Sequence, residues 1–257
     1  IVTAKDVPGK NQAGIITRDQ PAIAFDKTRY IGDSLAAVFA DTPETAAKAV
    51  KKIKVEYKIL PGVFSPEKAA EPGAPKVHEK GNLFHHARII RGDVDEAFEK
   101  CSVISENNYS TPFIEHGFIE PESGLGIPAE DGGVIVKLGT QTVFDDRTQL
   151  CEILDMPEEK VRVIQMPMGG AFGGKEDIIL QQYLALGALL TKKTVKITLT
   201  RSESLRVHVK RTPVQIYYKT GADASGKVLA LEARVLADCG AYASLTKSVL
   251  EHMVIFG

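Results

Sequence analysis

Hydrophobic and polar positions near the start of the chain predict a strand, a helix and a second strand. The run 34–40 is apolar, and the segment after it has Thr42 in the N-cap position and Pro43 as the first helical residue. In residues 53–58 apolar and polar positions alternate, which places the apolar side chains on one face of a strand. We therefore expect a compact α/β unit in this part of the chain.

A second α/β pattern follows farther along. Residues 133–140 predict a strand, Val143–Leu154 a helix, and residues 160–166 a strand that leads directly into a glycine-rich stretch. The apolar residues that recur at helical spacing after that stretch are Ile179, Tyr183, Leu186 and Leu190. This spacing predicts a helix whose first turn holds Glu176 and Asp177.

The remaining patterned segments are shorter. Residues 92–100 predict a helix, because Asp93 and Glu96 have capping-box spacing. Further strands are predicted in residues 101–110, 194–200 and 214–238, the last as two strands joined by a turn at Ser225 and Gly226. A high density of Pro and Gly between Leu60 and Pro75 marks a loop or an interdomain linker. Together these patterns predict a fold of class α+β.

Composition and charge narrow the possible functions. The 257 residues are 44% hydrophobic and 25% charged, which suits one or two buried cores. The net charge of -1 gives no general electrostatic reason to expect a nucleic acid or a membrane as partner. The three cysteines lie far apart and no apolar run approaches the roughly 20 residues of a membrane span, so we expect a reducing compartment, the cytoplasm.

The glycine-rich stretch "QMPMGGAFGGKED" is the strongest candidate for chemistry. Gly169, Gly174 and Lys175 have the spacing of a phosphate-binding loop, but Glu176 stands where such a loop needs a Ser or Thr hydroxyl for Mg²⁺. Glycines let backbone N–H groups approach an anion, and Phe172 between two glycine pairs favours a flat, bulky ligand over a simple structural turn.

Other motifs along the chain have familiar forms. Residues 30–61, "YIGDSLAAVFADTPETAAKAVKKIKVEYKILP", precede the motifs "RGDVDEAF", "YSTPFIEHGFIEP", "LGTQ", "LTRSESL", "KRTPVQIYYKTGAD" and "ADCGAYASL". With "MGGAFGGKE" they resemble, in the same order, the molybdenum-cofactor-binding (large) subunit of the xanthine dehydrogenase and aldehyde oxidase family. The resemblance covers nearly the whole chain from Val2 onward, and Ala171 departs from the three glycines that usually open this loop.

The resemblance implies an architecture. Residues 1–59 are similar to the end of an α/β hammerhead domain, and residues 83–257 to the N-terminal part of a molybdopterin-binding domain of mixed strands and helices. Residues 60–82 would be the Pro/Gly-rich linker between them. The chain would then be a fragment of a larger subunit.

The resemblance also implies site residues. The set that would bind the cofactor is Gln141, Gly170, Ala171, Phe172 and Gly173, with Gln141 and Phe172 near the molybdenum but no direct metal ligand from the chain. Glu176 is similar to the carboxylate that binds substrate in purine-oxidising members. Considered alone, Gln141 would merely cap the following helix and Glu176 would be an exposed acid.

The implied reaction is the oxidative hydroxylation of an aldehyde or N-heterocycle at a molybdopterin centre, in the cytosine dinucleotide form if the source is bacterial. Electrons would pass to iron-sulfur clusters and FAD on partner domains or subunits, and we expect an oligomer. The family's general-base glutamate and an arginine motif have no counterpart in this chain, so no catalytic residue is assigned and the isolated fragment is expected to be inactive. His252, if aligned, replaces an arginine of the purine site, which leaves the substrate open.

Two alternatives and one polar cluster remain. The chain could be a phosphate-loop NTPase that uses Gly169 to Lys175 with Asp238 as a Mg²⁺ ligand. It could also be a noncatalytic assembly module that docks redox subunits. The cluster of Glu115, His116, Glu120 and Glu122 is interpreted as structural support, and Lys210 with Arg211 as a solvated turn.

Overall fold

The computed structural model describes residues 1–256, without the side chains of Ile255 and Phe256. The chain forms two compact units. The first contains residues 1–60, 115–210 and 241–245, and the second contains residues 61–114, 211–240 and those from 246 onward.

Seven helices and seven strands are formed in the described part of the chain. The helices are α1 (Pro43–Val50), α2 (Pro66–Ala70), α3 (Val94–Glu99), α4 (Val143–Leu154), α5 (Gln181–Thr191), α6 (Arg201–Val207) and α7 (Thr246–Phe256). The strands are β1 (Val103–Thr111), β2 (Ser123–Pro128), β3 (Val134–Leu138), β4 (Val161–Gln165), β5 (Val195–Thr198), β6 (Val214–Ala222) and β7 (Val228–Ala237). Short 3-10 turns cover Ala4–Asp6 and Glu158–Lys160. Within residues 1–256, none of the helices has the length and apolar character that a bilayer crossing requires.

The first unit is built on a four-stranded sheet in the order β4-β3-β2-β5. β3 and β4 are parallel and are joined through α4, whereas β2 pairs antiparallel with both β3 and β5. Alternate residues of β3, namely Val134, Val136 and Leu138, are buried against apolar residues of α4 and α5. This packing fixes the end of β3 next to the loop that follows β4.

β2 was not predicted, because its sequence "SGLGIP" contains two glycines and a proline. The reason for the glycines is the close approach of α5 to the sheet. A Cβ atom at Gly126 would lie 2.0 Å from the carbonyl oxygen of Leu184 in α5. β2 therefore depends on glycines, which the sequence patterns of strands normally lack.

The second unit contains an antiparallel sheet in the order β1-β6-β7. α3 carries the buried side chain of Phe98, whose ring lies 4.4 Å from the Lys219 ammonium of β6. The hairpin of β6 and β7 turns at Gly226, which has a positive φ of 88°. The predicted hairpin and the predicted strand β1 are confirmed.

Two predicted strands near the start of the chain do not form. In residues 34–40 only Ala37 makes a bridge, to Val2, and residues 53–58 have no strand structure. Tyr57 of the alternating segment is 64% exposed. A strand exists only when a neighbour completes its hydrogen bonds, and the described residues place none beside 53–58. The helix between them is confirmed, with Thr42 as N-cap and Pro43 in the first turn.

Asp146 in α4 gives the first unit a pH-dependent stability. Its carboxyl is fully buried, and this burial raises its pKa to about 6, more than the side chains of Thr140 and Gln181 lower it. The folded pKa lies above the unfolded value of 3.8, so the folded state holds the proton more tightly. The stability that protonated Asp146 gives the folded state is therefore fully present below pH 3.8, the unfolded pKa. It is lost as the pH rises through the folded pKa of about 6.

We predict that Asp146→Asn removes this pH dependence. The free energy of unfolding of the variant minus that of the wild type should rise by about 3 kcal/mol as the pH increases from roughly 4 to 7. Chemical denaturation across this pH range measures the difference, with Asp145→Asn, an exposed neighbour in the same helix, as the control for lost charge. If the difference in free energy of unfolding between Asp146→Asn and the wild type did not vary with pH, the raised pKa of Asp146 would be contradicted.

Candidate functional site

The glycine loop lies between the end of β4 and the start of α5. Gly170, Phe172 and Gly173 have positive φ angles of 97°, 55° and 92°. The left-handed region is unfavourable for a large aromatic residue, and such strain persists only where surrounding contacts impose it. The ring of Phe172 is nevertheless 73% exposed, so it is presented outward rather than packed into the core.

Gln141, which follows the end of β3, ties the loop in place. Its side-chain Oε1 accepts hydrogen bonds from the backbone N–H groups of Gly173, at 3.0 Å, and of Lys175, at 3.2 Å. Its own backbone N–H donates to the carbonyl of Lys175 at 3.0 Å. The hydroxyl of Thr142 donates to the carbonyl of Glu176 at 2.6 Å. The side-chain oxygen of Gln141 is thus bound by the loop, and its NH₂ group makes no hydrogen bond to the described residues.

The predicted residues share one short region. Gln141 contacts the backbone of Gly173 directly, while Gly170 and Ala171 precede Phe172 in the same loop. Ala171 is buried and Glu176 is half-buried. The geometry therefore brings the residues of the predicted set together in one short region.

The expected position of Glu176 and Asp177 in a helical first turn is wrong. α5 begins only at Gln181, whose Oε1 accepts the backbone N–H groups of Ile179 and Leu180 just before the helix. Asp177 is instead buried and accepts a hydrogen bond from the Ser244 hydroxyl. Burial raises the pKa of Asp177. The loop consequently lacks the helix dipole that the sequence pattern suggested.

Lys175 is committed to a contact inside the chain. Its side chain is 3% exposed, and its ammonium donates to the carbonyl of Glu120 at 3.0 Å and to the Glu120 carboxylate at 3.1 Å. It also lies 4.7 Å from the centre of the Phe118 ring. A phosphate-loop lysine must reach the phosphates of its nucleotide. The phosphate-loop alternative is therefore not favoured.

Glu120 joins both ends of the loop. Its carboxylate Oε2, besides pairing with Lys175, accepts the backbone N–H of Gly169 at 2.8 Å. Partial burial raises the pKa of Glu120, but the Gly169 N–H and the Lys175 ammonium outweigh that effect and hold the pKa below its usual value. Glu120 is therefore an anion at neutral pH, with its charge directed at the loop.

A second ionic cluster lies beneath the loop, and sequence reasoning missed its centre, His208. The buried imidazole Nε2 of His208 lies 2.7 Å from Glu115, and its Nδ1 lies 3.4 Å from the buried Glu122. Lys210 pairs with Glu115 at 3.1 Å, so the interpretation of Lys210 as part of a solvated turn is wrong. His208 lies 93 positions from Glu115 in the chain, and no local spacing connects them.

His116 lies between this cluster and the loop. Burial lowers the pKa of His116, and neighbouring His208 lowers it further. Ligand atoms of Glu115, His116 and His208 lie within 4.8 Å of one another, a spacing that would suit a metal ion. Glu115 is already paired with His208 and Lys210, which supports the predicted structural role of this cluster.

Comparison with protein families agrees with this fold and loop. Residues 77–256 match the model of the molybdopterin cofactor-binding domain, and residues 1–61 match that of the aldehyde oxidase and xanthine dehydrogenase a/b hammerhead domain. The chain belongs to the family of molybdopterin cofactor-binding proteins that includes the xanthine dehydrogenases and aldehyde oxidases. The predicted resemblance and the predicted α+β fold class are thereby confirmed.

Individual relatives support the same assignment. The chain is 47% identical to a probable xanthine dehydrogenase subunit of Bacillus subtilis over 99% of its own length and 34% of the relative. It is 39% identical to the nicotinate dehydrogenase large molybdopterin subunit of Eubacterium barkeri, over 97% of this chain and 59% of that one. The aldehyde oxidoreductase from Desulfovibrio gigas superposes with a TM-score of 0.87 at 26% identity, covering 92% of this chain and 27% of the other. The chain thus spans less than two thirds of these relatives.

Proposed function

We propose that this chain forms part of a molybdenum hydroxylase subunit that oxidises an aldehyde or an N-heterocycle. The observation that carries the proposal is the bond between Gln141 Oε1 and the loop N–H groups of Gly173 and Lys175. It orients one amide donor beside a loop that also presents an exposed aromatic ring. The matching molybdopterin-binding domain supports the same ligand.

The residues present fit a flat, polar cofactor. Gly170 and Gly173 flank Phe172 without side chains of their own, so a planar ring system can approach the backbone there. The NH₂ group of Gln141 supplies a neutral hydrogen-bond donor for an oxygen of the cofactor. In this proposal Gly170, Ala171, Phe172 and Gly173 hold the cofactor and Gln141 lies near the molybdenum.

The roles of the chain's residues follow from these contacts. When bound, the molybdenum centre supplies a Lewis acid and an acceptor for two electrons. Gln141 would donate a hydrogen bond from its NH₂ group to the cofactor, and the ring of Phe172 would exclude water from one side of the reacting region. Glu176, anchored through its carbonyl by Thr142, directs a carboxylate toward the substrate. The general base would come from the remainder of the subunit.

The finer assignments are also proposals. The names of two relatives describe them as subunits, one of them as a large molybdopterin subunit, which supports the existence of partner subunits. We propose that these partners carry iron-sulfur clusters and FAD. We propose the cytosine dinucleotide form of the cofactor if the source is bacterial. The domain boundaries at residues 59 and 82, the oligomeric state, the cytoplasmic location and the inactivity of the isolated chain stay predictions. If His252 aligns with the purine-site arginine of the family, its presence argues against a purine as the substrate.

Metal and pterin analysis tests the proposal. The intact protein that contains this chain, purified from a host that makes the cofactor, should contain molybdenum and a fluorescent pterin in equal amounts. With an artificial electron acceptor it should oxidise members of a panel of aldehydes and N-heterocycles, and oxygen from isotopically labelled water should enter the product. An active preparation that contains neither molybdenum nor pterin would overturn the proposal. The detection of bound cofactor would also rule out the alternative of a noncatalytic assembly module, which predicts no pterin binding.

A further inference from the structure

The pair of Glu120 and Lys175 closes the glycine loop on itself. Lys175, at one end of the loop, and Gly169, at the other, both bind Glu120. We propose that Glu120 and Lys175 are positioning residues that hold the loop in the shape that receives the cofactor. The inference rests on the proposed function, but the closure of the loop is testable without any cofactor.

Three contacts define the closed loop. The Glu120 carboxylate accepts from Gly169 at 2.8 Å and from the Lys175 ammonium at 3.1 Å, and the Glu120 carbonyl accepts from the same ammonium at 3.0 Å. Gln141 holds the interior of the loop at Gly173. Residues 170–174 are therefore held at both ends by Glu120 and in the middle by Gln141. These contacts explain how Phe172 is kept at a positive φ angle.

The charges of the pair are not equivalent. The Lys175 side chain is 3% exposed, whereas that of Glu120 is 40% exposed. A buried ammonium without its partner is strongly destabilising, while a half-exposed carboxylate is hydrated by solvent. The loss of charge at Glu120 should therefore disturb the loop more than the loss of charge at Lys175. Lys175→Met leaves Glu120 able to bind Gly169, which makes this asymmetry measurable.

Hydrogen exchange of the loop amides in the cofactor-free intact protein tests the closure directly. We expect Glu120→Gln to speed exchange at Gly169 and in residues 170–175 by about tenfold or more, the factor that one charge-assisted hydrogen bond represents. Lys175→Met should speed it less. The control is Asp131→Asn, which removes a 3.1 Å pair with Lys160 elsewhere in the same unit and should leave the loop unchanged. Unchanged loop exchange in Glu120→Gln would overturn the proposal.

A second measurement separates positioning from general stability. In the cofactor-loaded protein, Glu120→Gln should alter the electron paramagnetic resonance signal of Mo(V) and reduce the molybdenum content. The control Asp131→Asn, compared at equal thermal stability, should change neither the signal nor the content. Faster loop exchange with an unaltered signal and full molybdenum content would limit the pair to a structural role and refute positioning. If the wild-type protein carries no molybdenum, the proposed function fails, yet the exchange result still decides whether Glu120 closes the loop.

Discussion

Gly174→Ala in the intact protein is expected to lose most of its bound molybdenum and pterin while the rest of the fold survives. A Cβ atom at Gly174 would lie 2.8 Å from the Phe118 ring and 3.0 Å from the His116 ring. Phe118 is 1% exposed and packs 4.9 Å from the His208 ring, so it has little room to move. The loop must shift instead, at a cost of about 1–3 kcal/mol for an overpacked site.

The measurement is the molybdenum and pterin content per protein molecule, with thermal stability recorded beside it. Gly132→Ala is the control, because Gly132 has a positive φ of 83° and open space around its Cβ position. It should lose about 1 kcal/mol of stability through backbone strain and keep its cofactor. Wild-type cofactor content in Gly174→Ala would show that the loop does not need this position for binding.

The parts of the fold that sequence predicted are those with local signals. α4 runs from Val143 to Leu154 as expected, and its buried residues Asp146, Leu150 and Ile153 recur every three to four positions. α1 begins at the predicted cap, since a Thr before a Pro satisfies the orphan N–H groups of a first turn. The hairpin of β6 and β7 follows from the alternation on either side of Ser225 and Gly226.

The errors concern features set by distant residues. The segment 53–58 alternates like a strand, but alternation creates only a face, and pairing depends on another segment. α5 starts at Gln181, whose side chain binds the N–H groups of the two residues before the helix, and helical spacing alone does not locate that start. β2 escaped prediction because its glycines serve the approach of α5 rather than the strand itself.

The candidate site shows the same division. The loop and Gln141 were found through family motifs, and β3 and β4 lie side by side, so the segments that follow these two strands can meet although they are 32 positions apart. The partners of Lys175 and His208 were not found, because they lie 55 and 93 positions away in the chain. Charge alone made Lys175 look available for a phosphate. Its burial, which sequence does not display, assigns it to Glu120.

Gln141→Glu is expected to abolish most of the activity while it leaves the loop closed. A Glu side chain keeps an oxygen that accepts from Gly173 and Lys175, so the backbone contacts at 3.0 and 3.2 Å survive. It lacks the NH₂ donor and presents a second oxygen where the cofactor needs a hydrogen. Loss of one oriented donor at a reacting centre lowers kcat by about 100-fold to 1000-fold in other enzymes, and we expect a loss on that order.

Gln141→Ala separates the two functions of this side chain, since it removes both the acceptor and the donor. It should speed hydrogen exchange at Gly173 and Lys175 and lower the cofactor content, whereas Gln141→Glu should keep both near the wild-type values. The matched control is Gln165→Glu, the same change at an exposed position at the end of β4, which should retain full kcat. A wild-type kcat for Gln141→Glu would mean that the amide hydrogen makes no contact with the cofactor, and the proposed place of the molybdenum beside Gln141 would then be wrong.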